Sequence, residues 1–232
     1  MKQSVSIVIP AFNEEKNIEL AVQNVISAVK DNIEDYEIII VNDGSTDRTK
    51  ETAQKLAIRN KRIKVLHHPR NLGLGFAVKS ALNVASKTHI TFFPGDNDMS
   101  SGSITDLILA KNNADFVSSY LTHLKQRSLV RKVLSRAFVL LMNRLFNSNL
   151  KYYNGPLICK TNLLKKILLT SSGFTIFAEA KVRLIKAGYS YHEIPFYNTG
   201  RRFGKSKAVS IRSLIQTIQT IFALYKEVVL LS

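Results

Sequence analysis

Cysteine is almost absent: Cys159 stands alone in 232 residues. No internal disulfide can form, and nothing argues for a secreted, disulfide-stapled scaffold. Long apolar runs are missing too. The longest uncharged C-terminal stretch, Ser213–Tyr225, is broken by Gln216 and Gln219 and falls short of the ~20 residues that span a bilayer. A transmembrane anchor is therefore not expected. The opening MKQSVSIVIPAFNEE has too short an apolar run, followed by acids, and reads as a buried strand rather than a signal peptide. Neither a GxxxxGK[ST] phosphate loop nor a GxSxG nucleophile elbow occurs. His67, His68, His89, His123 and His192 lack metal-ligand spacing and read as structural.

Acids are the most unevenly missing class. The chain carries 33 Lys+Arg and 17 Asp+Glu, a formal net charge of +16. Residues 1–118 hold 14 of each sign, whereas residues 119–232 hold 19 cations and 3 acids. The whole excess lies on the second half, which points to an anionic surface or a polyanionic partner. Hydrophobic content of 45% excludes wholesale disorder and is enough for a full core.

In the first half, strand and helix signals alternate. Ser4–Pro10, Tyr36–Val41, Ile63–His67, His89–Phe93 and Phe116–Ser118 read as strands. Helical spacing occupies Asn17–Lys30, a segment capped by Ser45–Asp47 and ending near Arg59, Leu72–Ser86, and a segment from about Ser103. Repeated units of this kind predict an α/β fold with a Rossmann-like, mostly parallel sheet flanked by helices. Ligands of such sheets sit beyond the carboxyl ends of the strands. Polar residues gather there: Asn13-Glu14, Asp43 and Asp96-Asn97-Asp98.

The second half differs in texture. Residues 129–146 and 211–230 show amphipathic helical spacing, the first strongly basic. Phe174–Ala187 reads as a helix and Tyr189–Pro195 as a strand, and the loop Asn198–Lys207 is dense in cations. The chain reads as one domain with a basic amphipathic helical C-terminal extension.

Asp96 and Asp98 can share a hard cation such as Mg²⁺ or Mn²⁺ at a strand end, although Gly95-Asp96-Asn97 is also good turn chemistry. Asp43 can accept from a base or ribose, or simply stabilise its turn. Glu14 can read the same nucleotide, or favour a helix N-terminus. Gly73 and Gly75 allow close backbone approach to a phosphate or to neighbouring elements alike. Arg201 and Lys207 flank Gly204 in RRFGKSK and can clamp a phosphate or form a solvated basic loop. Glu179 can be a general base, or pair with Arg183 one helical turn on.

Taken together, VSIVIPAFNEEKNI, IIIVNDGSTDRT, NLGLGFAVKSAL, DND and RRFGKSK resemble inverting family 2 glycosyltransferases of the GT-A fold, over about residues 4–210. The chain is most similar to their polyprenyl-phosphate sugar transferases, the dolichyl-phosphate mannose synthase-like group. The resemblance implies donor contacts by Pro10, Phe12, Asn13, Glu14, Asp43 and Asp96. It implies a Mg²⁺ or Mn²⁺ site at Asp96 and Asp98, with Asp98 among the catalytic residues. Arg201 and Lys207 would handle phosphate, and with Arg131 and Arg136 would receive the acceptor phosphate. Two segments depart from the group: VSSYL, with Tyr120, stands where it has GSR, and KYYNGP where it has DxTSGF.

These likenesses imply a hexosyl transfer from a GDP- or UDP-sugar to a polyprenyl phosphate. It would occur at the cytoplasmic face of an anionic membrane by a peripherally bound protein, with room for a membrane-embedded partner protein. Residues 1–118 would form the nucleotide-sugar half, 119–210 the acceptor-side half and 211–232 a C-terminal amphipathic helix. Transfer to a sugar hydroxyl of a glycan in surface-polysaccharide assembly is the alternative, with Glu179 as base. A basic nucleic-acid-binding module is a remote third, since no nucleic-acid motif is present.

Overall fold

The computed structural model describes residues 4–122, 129–199 and 211–230; side chains 130, 131, 211–215, 229 and 230 are outside the description. Strands and helices alternate as β1 (Ser4–Ala11), α1 (Ile18–Val29), β2 (Asp35–Asn42), α2 (Thr49–Arg59), β3 (Ile63–His67), α3 (Leu74–Val84), β4 (His89–Phe92) and α4 (Ser101–Leu109). There follow β5 (Phe116–Thr122), α5 (Leu129–Phe146), β6 (Leu157–Lys160), α6 (Thr161–Lys166), α7 (Ile176–Lys186), β7 (Tyr191–Tyr197) and α8 (Ile211–Tyr225), which passes into a π-helical turn at Lys226–Leu230.

Among the described residues the strands form one seven-stranded sheet in the order β3-β2-β1-β4-β6-β5-β7. All neighbours are parallel except β6, which runs antiparallel to both β4 and β5. The alternation of a strand buried on both faces is visible in β1 and β2. Val5, Ile7, Ile9, Ile38 and Ile40 join the core under α1 and α4, while Val8, Ile39 and Val41 join the core under α3, α6 and α7. A third cluster sits apart, where Met142 and Phe146 of α5 pack with Tyr153, with Ala178 and Val182 of α7, and with Leu224 of α8.

Several boundaries differ from the sequence reading. The helix expected to be capped by Ser45–Asp47 begins at Thr49, whose N and Oγ1 donate to Asp47 Oδ1, while Ser45 and Thr46 bond to Asn13. The strand and helix at β6 and α6 were not anticipated. The C-terminal extension is helical, but its described side chains from Gln216 to Tyr225 include no cation. No described helix is long and apolar enough to cross a membrane.

Because β1 lies between β2 and β4, the chain turns to opposite sides on leaving β1 and β4. This switch point places the carboxyl ends of β1, β2 and β4 side by side.

Candidate active site at the β1, β2 and β4 ends

The segment after β1 is laced to the one after β2. Asn13 takes a left-handed conformation (φ 57°), which asparagine tolerates better than most residues. Its N–H donates to Ser45 Oγ at 3.0 Å, and its Oδ1 accepts from Thr46 N at 2.8 Å. Glu14 N donates to Thr49 Oγ1 at 2.8 Å, and Glu14 Oε2 accepts from Asn17 Nδ2 at 2.7 Å. Glu15 and Asp47 close the seam, since Glu15 N donates to Asp47 Oδ2 and Glu15 Oε2 accepts from Arg48 N, both at 3.1 Å.

Asp43 is buried just past β2, and both oxygens of its carboxylate are bonded within the fold. Oδ1 lies 2.7 Å from His68 Nδ1 and accepts from Leu72 N at 2.9 Å, while Oδ2 accepts from Gly73 N at 2.8 Å. Nε2 of His68 lies 2.9 Å from Ser80 Oγ. Asp43 thus fastens the β3–α3 connection against β2. Gly44 allows the close approach: it has φ +67°, and a Cβ there would lie 2.1 Å from the Arg70 carbonyl carbon. His68 is a residue that sequence reasoning missed at this site. Its position just past β3 was the available signal.

The turn after β4 rests on the end of β1. Gly95 N donates to Pro10 O at 3.2 Å, and a Cβ on Gly95 would lie 2.7 Å from that oxygen. Asn97, again left-handed (φ 58°), accepts at Oδ1 from Asn24 Nδ2 at 2.7 Å. On either side of it stand the two carboxylates. Asp96 is buried and its Oδ1 accepts from Asp98 N at 3.2 Å, while half-buried Asp98 accepts at Oδ2 from Asn198 Nδ2 at 3.0 Å. Asp98 O also accepts from Thr199 N at 2.8 Å. The end of β7 is therefore tied to the aspartate turn.

This turn offers only oxygen donors, which suits a hard cation. Among the described residues no group of three or more His, Cys, Asp and Glu could hold a metal ion. Asp96 and Asp98 fit a Mg²⁺-like site in which one or two carboxylates are completed by water and substrate phosphates, not a closed protein cage.

Glu179 lies elsewhere, on α7, only 1% exposed. Its Oε1 accepts from Thr170 N (2.9 Å), Thr170 Oγ1 (2.8 Å) and Arg183 Nε (2.9 Å), and its Oε2 accepts from Ser171 N at 2.8 Å. Burial pushes its carboxyl upward, but the bonds from Ser171 and Thr170 outweigh burial and hold it below the ordinary glutamate value. Arg136 is exposed on α5. The Arg131 side chain, Arg201 and Lys207 lie outside the described residues. The structure therefore brings Pro10, Phe12, Asn13, Glu14, Asp43, Asp96 and Asp98 to one edge of the sheet, and sets Glu179 apart.

Comparison with known proteins agrees with this geometry. Residues 6–168 match the family described as Glycosyl transferase family 2. A dolichol-phosphate mannosyltransferase of Pyrococcus furiosus is 29% identical over 232 residues, covering 96% of this chain and 64% of that protein. The uncharacterized glycosyltransferase EpsJ of Bacillus subtilis is 40% identical over 97 residues, 42% of this chain and 27% of that protein. The chain thus spans less than two thirds of the length of these curated relatives. Among solved structures, glucosyl-3-phosphoglycerate synthase from Mycobacterium tuberculosis in complex with Mg²⁺ and uridine diphosphate superimposes with a TM-score of 0.73. The identity is 17%, over 96% of this chain and 79% of that one. At that identity the likeness is one of fold, the Rossmann-like GT-A arrangement. A match over residues 6–168 covers well over half of the sequence, and the chain belongs to glycosyltransferase family 2.

Proposed function

We propose that this protein transfers a hexosyl unit from a nucleoside-diphosphate sugar to a polyprenyl phosphate, with inversion, at the cytoplasmic face of a membrane. The observation that carries the reading is the Asp96–Asp98 turn, set beside Asn13 and Asp43 and fastened to Asn198 and Thr199. In sequence, Arg201 of the cationic RRFGKSK segment follows the anchored Thr199 by two positions. The dolichol-phosphate mannosyltransferase similarity over 96% of the chain favours a polyprenyl phosphate over other acceptors. The Mg²⁺- and uridine diphosphate-bound neighbour supports metal-dependent use of a nucleotide donor.

Residues 1–118 serve the donor. Pro10, Phe12, Asn13, Glu14 and Asp43 frame the nucleotide, and Asp96 and Asp98 hold Mg²⁺ or Mn²⁺. When bound, that cation neutralises charge on the departing diphosphate. Residues 119–210 serve the acceptor, whose phosphate is oriented by Arg201, Lys207, Arg131 and Arg136. A phosphate monoester has its second pKa near roughly 6 and is already largely dianionic at neutral pH. It needs orientation more than deprotonation, and so no protein base. Glu179 suits this reading, because both its oxygens are occupied within the fold.

Membrane contact is supported by α5, where Leu129, Val133, Leu134, Leu140 and Leu141 are exposed on one side with Arg136 among them, and by exposed Ile218 and Phe222 on α8. Apolar residues beside cations suit an interfacial helix on an anionic surface. The test uses purified protein, Mn²⁺, radiolabelled UDP- and GDP-sugars and vesicles containing polyprenyl phosphate. A lipid-linked sugar is expected; its absence with every donor would overturn the reading.

A further inference from the structure

Glu179 is remote from the β1, β2 and β4 ends, yet a continuous set of bonds joins it to them. The 170–173 turn that it holds presses on the start of α3. Gly75 N donates to Ser172 O at 2.9 Å. A Cβ on Gly75 would sit 2.1 Å from Ser171 O, and one on Gly73 would sit 2.5 Å from Ser172 O. Only glycine lets the two backbones touch in this way. One residue before that contact, the Leu72 and Gly73 amides donate to Asp43. On the far side, Arg183 donates through Nε to Glu179 at 2.9 Å and through Nη2 to Glu227 at 2.6 Å, just beyond α8.

We propose that Glu179 is a positioning residue for the donor site. It fixes the 170–173 turn, which seats the first turn of α3 and so holds the Leu72–Gly73 amides and Asp43 in the arrangement that receives the nucleotide. This rests on the reading of residues 10–14, 43 and 96–98 as the donor site.

The physical case is one of unmet donors. Without the carboxylate, the buried Ser171 amide loses its acceptor, and so do the Thr170 amide, whose bond is part-buried, and the Nε of Arg183, whose Nη2 keeps Glu227. Leaving buried donors unsatisfied costs more than the bonds themselves contribute. The relief open to the turn is to swing toward water, and α3 then loses the surface that Gly73 and Gly75 were shaped to meet. A general base, by contrast, needs an oxygen within reach of the acceptor hydroxyl, and this carboxylate directs both oxygens at its own chain.

The experiment compares wild type with Glu179→Ala, Glu179→Gln and Gly75→Ala. It measures UDP and GDP binding with Mn²⁺ by calorimetry, and turnover against polyprenyl phosphate vesicles. Glu179→Ala is expected to weaken binding of the preferred nucleotide by about tenfold, roughly the value of one or two lost buried bonds. Gly75→Ala should do the same from the α3 side without touching the carboxylate, and Glu179→Gln should fall between, since its amide oxygen still accepts. The loss is expected in donor affinity and KM more than in kcat at saturation. Nucleotide affinity unchanged in both Glu179→Ala and Gly75→Ala overturns the proposal. So does a kcat loss of about 10²-fold or more in Glu179→Gln with affinity retained, the signature of a base. Should the variants not fold, hydrogen exchange on wild type decides: nucleotide must slow exchange at 170–173 together with 72–75, and protection confined to 72–75 refutes the coupling. A wild type that binds neither nucleotide removes the donor-site reading itself, and this proposal with it.

Discussion

Asp43→Asn separates a residue that organises the fold from one that only meets a ligand. The carboxylate accepts from His68 Nδ1, Leu72 N and Gly73 N at 2.7–2.9 Å while 4% exposed. Asparagine keeps the shape and one oxygen, which can still serve His68 and Leu72. Its amide nitrogen then faces the Gly73 N–H, donor against donor. One charge-assisted bond is lost and one buried N–H is left without an acceptor, a cost of about 2–4 kcal/mol. For 232 residues, an unfolding entropy near 2.1 cal/mol/K per residue makes this a fall in Tm of about 4–8 °C. The assay is thermal and urea unfolding near neutral pH without nucleotide, repeated for His68→Ala and the double variant. A coupling of about 1–2 kcal/mol between the two sites is expected. A variant melting within about 1 °C of wild type would show that Asp43 is not what holds the 68–73 connection, and the reasoning above would fail with it.

Asp98→Ala loses a half-buried carboxylate whose Oδ2 accepts from Asn198, so the ligand-free protein should lose only about 0.5–1.5 kcal/mol. The thermal stabilisation of wild type by nucleotide with Mn²⁺ should vanish in it, and its survival would exclude Asp98 from the metal site. Glu37 is buried, which raises its carboxyl, but Lys64, Ser6 and Ser86 overcome this and bring it from the ordinary 4.5 to about 2. Its folded value lies below its unfolded one, so its stabilisation is present above pH 4.5 and disappears as pH falls toward 2. The loss is of the order of 3 kcal/mol, and urea unfolding of Glu37→Gln should show a correspondingly flatter acid limb. Lys181 is fully buried with Nζ on Tyr152 O at 3.2 Å, and burial, opposed by Glu193, lowers its value from 10.5 to about 7. A lowered lysine destabilises most below pH 7, with the penalty relieved as pH rises toward 10.5. Lys181→Met is therefore expected to gain about 1–4 kcal/mol at low pH and little near the upper limit, and a pH-independent effect would disprove the assignment.

The strands that sequence reasoning located are those whose neighbours cover both faces. β1, β2 and β4 are apolar runs ended by polar residues, and their position alone marked Asn13, Asp43, Asp96 and Asp98. β6 escaped because Leu157–Lys160 is four residues long and sits between Pro156 and the cation-rich α6, too short for a periodic signal. Its antiparallel pairing with β4 and β5 is a property of the assembled sheet and has no local trace. The partners of Asp43 were hidden for a similar reason. His68, Leu72 and Gly73 lie 25–30 positions away, and only the crossover from β2 through α2 to the parallel strand β3 brings them back. Glu179 shows the reverse case. The i,i+4 pairing with Arg183 was readable, whereas the Thr170–Ser171 turn that fills its remaining capacity was not.

The charge imbalance follows from where the acids are used. In the basic half all three have partners in their own half: Glu179 in Thr170, Ser171 and Arg183, Glu193 in the Lys151 amide opposite Lys181, and exposed Glu227 in Arg183. In the balanced half, folding also absorbs carboxylates, with Glu37 on Lys64, Asp35 on Lys87, Asp43 on the 68–73 connection and Asp47 at the start of α2. The Asp96–Asp98 turn belongs to the same balanced half. There Asp98 N donates to Asp96 Oδ1, and Asn198 Nδ2 donates to Asp98 Oδ2. The overall +16 is thus a poor guide to the site, whose two carboxylates, Asp96 and Asp98, belong to the half in which acids and cations are equal in number.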